Sequence, residues 1–129
     1  MNKETIIKFV QSWAEEHNIQ AYPTQDYYLN PVNNQYGFPS GIPFPLRAGI
    51  ACVFDQFGDL IYVFKHTSWH NYFTGPKVSS LESIWIKAIP NFIVSLILEG
   101  DSNIDLSVLA DKLKKKLIEK AHPCENKSN

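Results

Sequence analysis

The chain has 129 residues, of which 44% are apolar and 19% charged, with a formal net charge of −1. That length and composition describe one ordered domain able to bury a core without covalent staples, and they exclude a disordered or low-complexity chain. The near-neutral balance excludes a strongly basic nucleic-acid binder, so any such role must rest on a local patch.

Residues 3–17 read as an amphipathic helix. Ile6, Phe9, Val10 and Trp13 recur at helical spacing, with Lys8, Gln11, Glu15 and Glu16 off that stripe. Asn18 is placed for a left-handed stop. Over residues 19–47 the periodicity is lost, and Pro23, Pro31, Pro39, Pro43 and Pro45 exclude a long helix. Tyr22, Tyr27, Tyr28, Tyr36, Phe38 and Phe44 are nevertheless too many aromatic residues for a disordered linker. The segment reads as an ordered loop, its rings completing a small core over the sheet, stacking on bases, or forming a partner's contact surface. Tyr27, Tyr28 and Tyr36 are the candidates for binding a protein partner.

Residues 48–65 read as a β-hairpin. Ile50, Cys52 and Phe54 alternate with Ala51 and Val53, so both faces are apolar, as in a strand covered on both sides. Asp55-Gln56-Phe57-Gly58-Asp59 supplies a short polar turn with one glycine for a positive φ, and residues 60–65 return as a β-branched, aromatic strand. Beyond it, Lys65, His66 and His70 form the most reactive run, the histidines four positions apart as a shared metal or phosphate would require on a helix. Ser79-x-x-Glu82 has the form of a capping box, which leaves Glu82 either capping a helix or serving as an acidic metal ligand. Pro90 ends that segment, and residues 80–98 fit a strand or a buried helix equally by pattern.

Ser102-x-x-Asp105 opens the last helix, with Leu106, Leu109, Ala110, Leu113, Leu117 and Ile118 on its buried face. Lys112, Lys114, Lys115, Lys116 and Lys120 crowd the remainder, either a solvated face partly neutralised by Asp111 and Glu119 or a track for phosphates, with Lys112, Lys115 and Lys116 as nucleic-acid-binding candidates. The resulting expectation is a single α+β domain over residues 1–121, followed by a flexible tail over 122–129. Its core would be a small antiparallel or mixed sheet, the hairpin plus a further strand, flanked by N- and C-terminal helices. Cys52 in a core strand and Cys124 in a polar segment make a poor disulfide pair, so reduced thiols and a cytoplasmic setting are expected. No apolar run has the length of a signal segment or a membrane span, so no membrane partner is expected.

Gly49-Ile50-Ala51 on the first hairpin strand, Tyr62-Val63-Phe64-Lys65 on the second, Asn71-Tyr72-Phe73-Thr74-Gly75, and Leu81-Glu82-Ser83-Ile84-Trp85 together resemble a GIY-YIG nuclease domain. The resemblance covers about residues 45–90. It implies a DNA- or RNA-associated domain and a metal-dependent endonuclease chemistry, with Tyr62, Lys65, His66, His70 and Glu82 as catalytic candidates and Glu82 holding Mg2+. The departures are specific. Ala51 stands where the family has a catalytic tyrosine, Phe64 where it has glycine, and Arg47, the only arginine, precedes the first strand. Attack on a phosphodiester needs positioned cations, so the catalytic set reads as eroded. The alternative expectation is a small inhibitor, of toxin-immunity or anti-defence type, that binds a protein and catalyses nothing.

Overall fold

The computed structural model of the chain describes residues 1–28, 47–66 and 90–126, together with the backbone of residues 30–32 and 35–37. Helix α1 spans Lys3–Glu16 and starts where the Asn2 side chain accepts the Thr5 amide proton at 2.9 Å. It ends in a Schellman motif: Asn18 adopts φ 58°, its N–H reaches Glu15 O, and the Ile19 N–H reaches Ala14 O at 3.0 Å. Ile6, Val10, Trp13 and Ala14 form the buried stripe, and Phe9 packs beside it.

The strands are β1 (Gln20–Pro23), β2 (Tyr27–Tyr28), β3 (Asn30–Val32), β4 (Gln35–Gly37), β5 (Gly49–Asp55), β6 (Leu60–His66) and β7 (Pro90–Glu99), followed by helix α2 (Leu106–Ala121). Among the described residues the fold is α+β, with terminal helices flanking a five-stranded antiparallel sheet. Its order is β1-β7-β5-β6, and β2 continues the line of β1 along the same edge of β7. β3 and β4 form a separate antiparallel pair.

Residues 20–28, expected as part of a loop, are therefore an edge strand in two pieces. Thr24 bridges the interruption: its N–H donates to Ser95 O at 2.8 Å, and its Oγ1 accepts from the Ser95 N–H at 3.0 Å. An edge strand tolerates Pro23, which has no amide proton to give. The apolar run that pattern alone left open is β7, the central strand paired on both sides, and Pro90 is its first residue; the segment before Pro90 lies outside the described residues.

The hairpin turn forms as expected. Asp55 Oδ1 accepts from the Phe57 and Asp59 amides at 2.9 and 3.0 Å, and Gly58 takes φ 83°. The register of β5, β6 and β7 assigns every side chain to one of two faces. Ile50, Cys52, Phe54, Val63, Val94, Leu96 and Leu98 face α1 and α2 and form one cluster with Ala110, Leu113 and Leu117. Each such fully buried aliphatic side chain contributes about 1.5–3 kcal/mol. Gly49, Ala51, Val53, Tyr62, Phe64, His66, Ile93, Ser95 and Ile97 share the opposite face.

Two details at α2 differ from expectation. The N-cap is Asp105, not Ser102, because Asp105 Oδ1 accepts from the Ser107 and Val108 amides at 3.1 and 3.2 Å. Residues 122–126, expected to be flexible, lie against β6 instead: Glu125 N–H donates to Ile61 O at 2.9 Å, and Pro123 and Glu125 are buried. Residues 127–129 lie outside the described residues.

Candidate functional site

Strand alternation separates the candidates that adjoin one another in sequence. Tyr62, Phe64 and His66 project from the face of β6 opposite the helices, whereas Lys65 projects toward α2 and meets Asp111 Oδ2 at 3.1 Å. An ion pair so open to water contributes about 0–1 kcal/mol. Its consequence for chemistry is that the Lys65 ammonium is on the wrong side of the sheet to act with Tyr62 or His66.

His66 is the centre of a buried polar cluster. Its Nδ1 lies 3.0 Å from Arg47 O, and because a carbonyl only accepts, Nδ1 carries the proton. Its Nε2 meets the Ser95 hydroxyl, which also lies 3.1 Å from Ile50 O. In the neutral ring the hydroxyl donates to Nε2. In the protonated ring Nε2 would donate to the hydroxyl, which would turn its proton to Ile50 O. Burial nevertheless favours the neutral form and pushes the imidazole down to about 4, against the opposing pull of the Arg47 and Ile50 carbonyls. At neutral pH His66 offers no positive charge to a phosphate.

Gly49 makes this cluster possible. A Cβ there would overlap the Leu96 carbonyl oxygen and sit 3.1 Å from His66 Cε1, so the imidazole passes over the strand only where a side chain is missing. Tyr62, half-buried, has its ring 5.9 Å from that of Phe64, and burial raises its phenol further above the physiological range. It can donate a hydrogen bond and cannot serve as a phenolate at neutral pH.

Compared with protein-family models, curated proteins and solved structures, the chain matches none.

His70 and Glu82 lie outside the described residues, as do the segments around Asn71 and Leu81. Among the described residues no three His, Cys, Asp or Glu side chains gather as a metal ion would need, and Glu82, the expected Mg2+ ligand, is not one of them. No helix among the described residues is long and apolar enough to cross a membrane. Tyr27 is buried in β2, Tyr28 beside it is exposed with its ring tilted 41° to that of Phe92 at 5.6 Å, and of Tyr36 only the backbone, in β4, is described.

Lys112, Lys115 and Lys116 are all exposed along the solvent side of α2, and among the described residues none of them is in an ion pair. Their neighbours are engaged otherwise: Asp111 holds Lys65, and Lys120 Nζ lies 4.9 Å from the centre of the Phe9 ring. Ser95 and Thr24 were not legible as site residues from motifs. The available signal was Ser95 itself, the one polar side chain in the run Phe92-Ile93-Val94-Ser95-Leu96-Ile97-Leu98, since a buried hydroxyl requires a partner.

Proposed function

We propose that the chain is a nucleic-acid-associated domain, similar to GIY-YIG nucleases in its hairpin motifs, that holds DNA or RNA through the lysine stripe of α2. The observation that carries this reading is the row of Lys112, Lys115 and Lys116, exposed and in no ion pair among the described residues, on one side of a 16-residue helix where the exposed Glu119 lies beside them and Asp111 is paired with Lys65. Three ammonium groups at i, i+3 and i+4 can follow successive phosphates, and they concentrate positive charge locally in a chain whose net charge is −1. The same geometry favours holding over cutting. Lys65 is paired on the helix side, and His66 is buried and neutral, so neither is placed to stabilise a phosphoryl transition state. Tyr62 and Glu82 with Mg2+ are the groups on which cleavage would depend.

The test is fluorescence anisotropy with labelled single-stranded DNA, duplex DNA and RNA at two salt concentrations. The parent should bind, and Lys112→Glu with Lys115→Glu and Lys116→Glu should weaken binding steeply, the salt slope of the remaining log affinity being smaller by about 2–3. Unchanged affinity in the triple variant, or no binding by the parent at low salt, rejects the reading. A separate Mg2+-dependent nicking assay comparing the parent with Glu82→Ala decides the enzymatic part.

A second reading rests on the opposite edge of the sheet. Tyr22 and Tyr28 are 46% and 55% exposed on the interrupted edge strand, as in a surface that meets a protein. An inhibitor of that kind forms a complex that survives high salt and is weakened by Tyr28→Ala. Tyr27, 5% exposed, serves the core in either case.

A further inference from the structure

Among the described residues β6 is the last strand of the sheet, yet its outer edge is occupied. After α2 the chain reverses at His122, which takes φ 48°, and runs back across β6. The Asn126 side chain lies against Val63 with both of its amide atoms used: Nδ2 donates to Val63 O at 3.0 Å, and Oδ1 accepts the Val63 N–H at 2.8 Å. With the Glu125 amide on Ile61 O at 2.9 Å, three hydrogen bonds fill the positions a neighbouring strand would take. One side-chain amide thus imitates the donor and acceptor of a strand residue.

The edge beneath needs such cover. Residues 60–64, Leu-Ile-Tyr-Val-Phe, are uncharged and of high β-propensity, and an open edge of that composition recruits other strands. We propose that residues 123–126 are an edge guard, bound in cis, that prevents β6 from pairing with β6 of a second copy of this chain. The edge is suited to itself. Antiparallel pairing about Val63 sets the N–H and C=O of each Val63 against those of its mate, as in a hydrogen-bonded pair around a two-fold axis. In that register Tyr62 faces Phe64 of the mate and Lys65 faces Ile61, so aromatic rings meet and no like charges oppose. The guard is independent of the nucleic-acid reading, because neither β6 nor residues 123–126 belong to the lysine stripe.

Asn126→Ala in the full chain removes two of the three hydrogen bonds, and Glu125→Pro with Asn126→Ala removes all three. For both variants the expected results are a dimer whose fraction grows with concentration in light scattering, and a Val63 amide that exchanges about tenfold faster in the dilute monomer but is protected again in the dimer. The parent should be monomeric with Val63 protected throughout. Variants that stay monomeric at every concentration overturn the proposal, as does association in which the Val63 amide stays unprotected. If the double variant loses its near-ultraviolet circular dichroism, the outcome of Asn126→Ala alone decides.

Discussion

The His66 imidazole and the Ser95 hydroxyl meet across a strand that belongs to neither of them. His66 ends β6 and Ser95 sits mid-way along β7, and β5 runs between the two. The contact crosses β5 beside Gly49, where no side chain intervenes. Two polar groups 29 positions apart are thereby satisfied on a sheet face that they share with Gly49, Ala51, Val53, Tyr62, Phe64, Ile93 and Ile97. The arrangement accounts for a buried histidine without assigning it any catalytic step.

Gly49→Ala should be among the most damaging single substitutions in the sheet. Its Cβ overlaps backbone, the Leu96 carbonyl, which cannot rotate away, and it crowds His66. A loss of about 2–3 kcal/mol is expected in urea unfolding at pH 7.5. A loss below about 0.5 kcal/mol would mean that β7 slides freely past β5.

Stability should fall on acidification through His66. Its folded value of about 4 lies below the ordinary 6.5, so between those pH values the unfolded chain binds the extra proton. Stability contributed by His66 is full above pH 6.5, declines as the pH drops toward 4, and changes no further below that, a loss of about 3 kcal/mol at most. Urea midpoints for the parent and His66→Gln, compared across this window, isolate the effect from that of the carboxylates. An imidazole titrating near 6.5 by NMR would contradict the burial.

The hydroxyl of Ser95 should be coupled to that ring. Ser95→Ala leaves Nε2 without its donor in a dry site, a cost of about 1–2 kcal/mol. In the double-mutant cycle with His66→Gln, a coupling of about 1 kcal/mol is expected. Additive losses would show that the two side chains lie together without interacting.

Thiol accessibility should differ sharply between the two cysteines. Cys52 is fully buried on the helix face of β5, and burial pushes its thiol up to about 12, whereas Cys124 is exposed. A water-soluble disulfide reagent should therefore titrate one thiol in the native protein and two in denaturant. Fast reaction at both in the folded state would place β5 outside the core.

Removing Lys65 should matter little. Its pair with Asp111 is exposed, so Lys65→Ala should change stability by no more than about 1 kcal/mol. Because Asp111 adjoins Lys112, that variant should not strengthen nucleic-acid binding. A marked drop in binding would instead place Lys65 on the contact surface.

The elements legible in the sequence are those whose cause is local. The stripe of Ile6, Val10 and Trp13, the Asn18 stop and the Asp55–Asp59 turn each follow from residues within a few positions, and each forms as read. The N-cap of α2 was misplaced by three positions because Ser102 and Asp105 are both acceptable caps, and only the chain path leading into the helix selects Asp105. β1 and β2 were not legible at all. Four residues and two residues are too short to show alternation, and their strand character exists only because β7 lies alongside.

By itself, the sequence determined an α+β chain with a hairpin at its centre, a helix near each end and a lysine-rich stripe on the second helix, because propensity and periodicity act over short ranges. Only the tertiary structure decided that β7 is central, that Lys65 and His66 face opposite sides, that Ser95 satisfies His66, and that Asn126 closes the edge at Val63. The last two contacts join residues 29 and 63 positions apart. They follow from sheet register and from the cost of burying an unsatisfied polar group, neither of which is expressed in any short stretch of sequence.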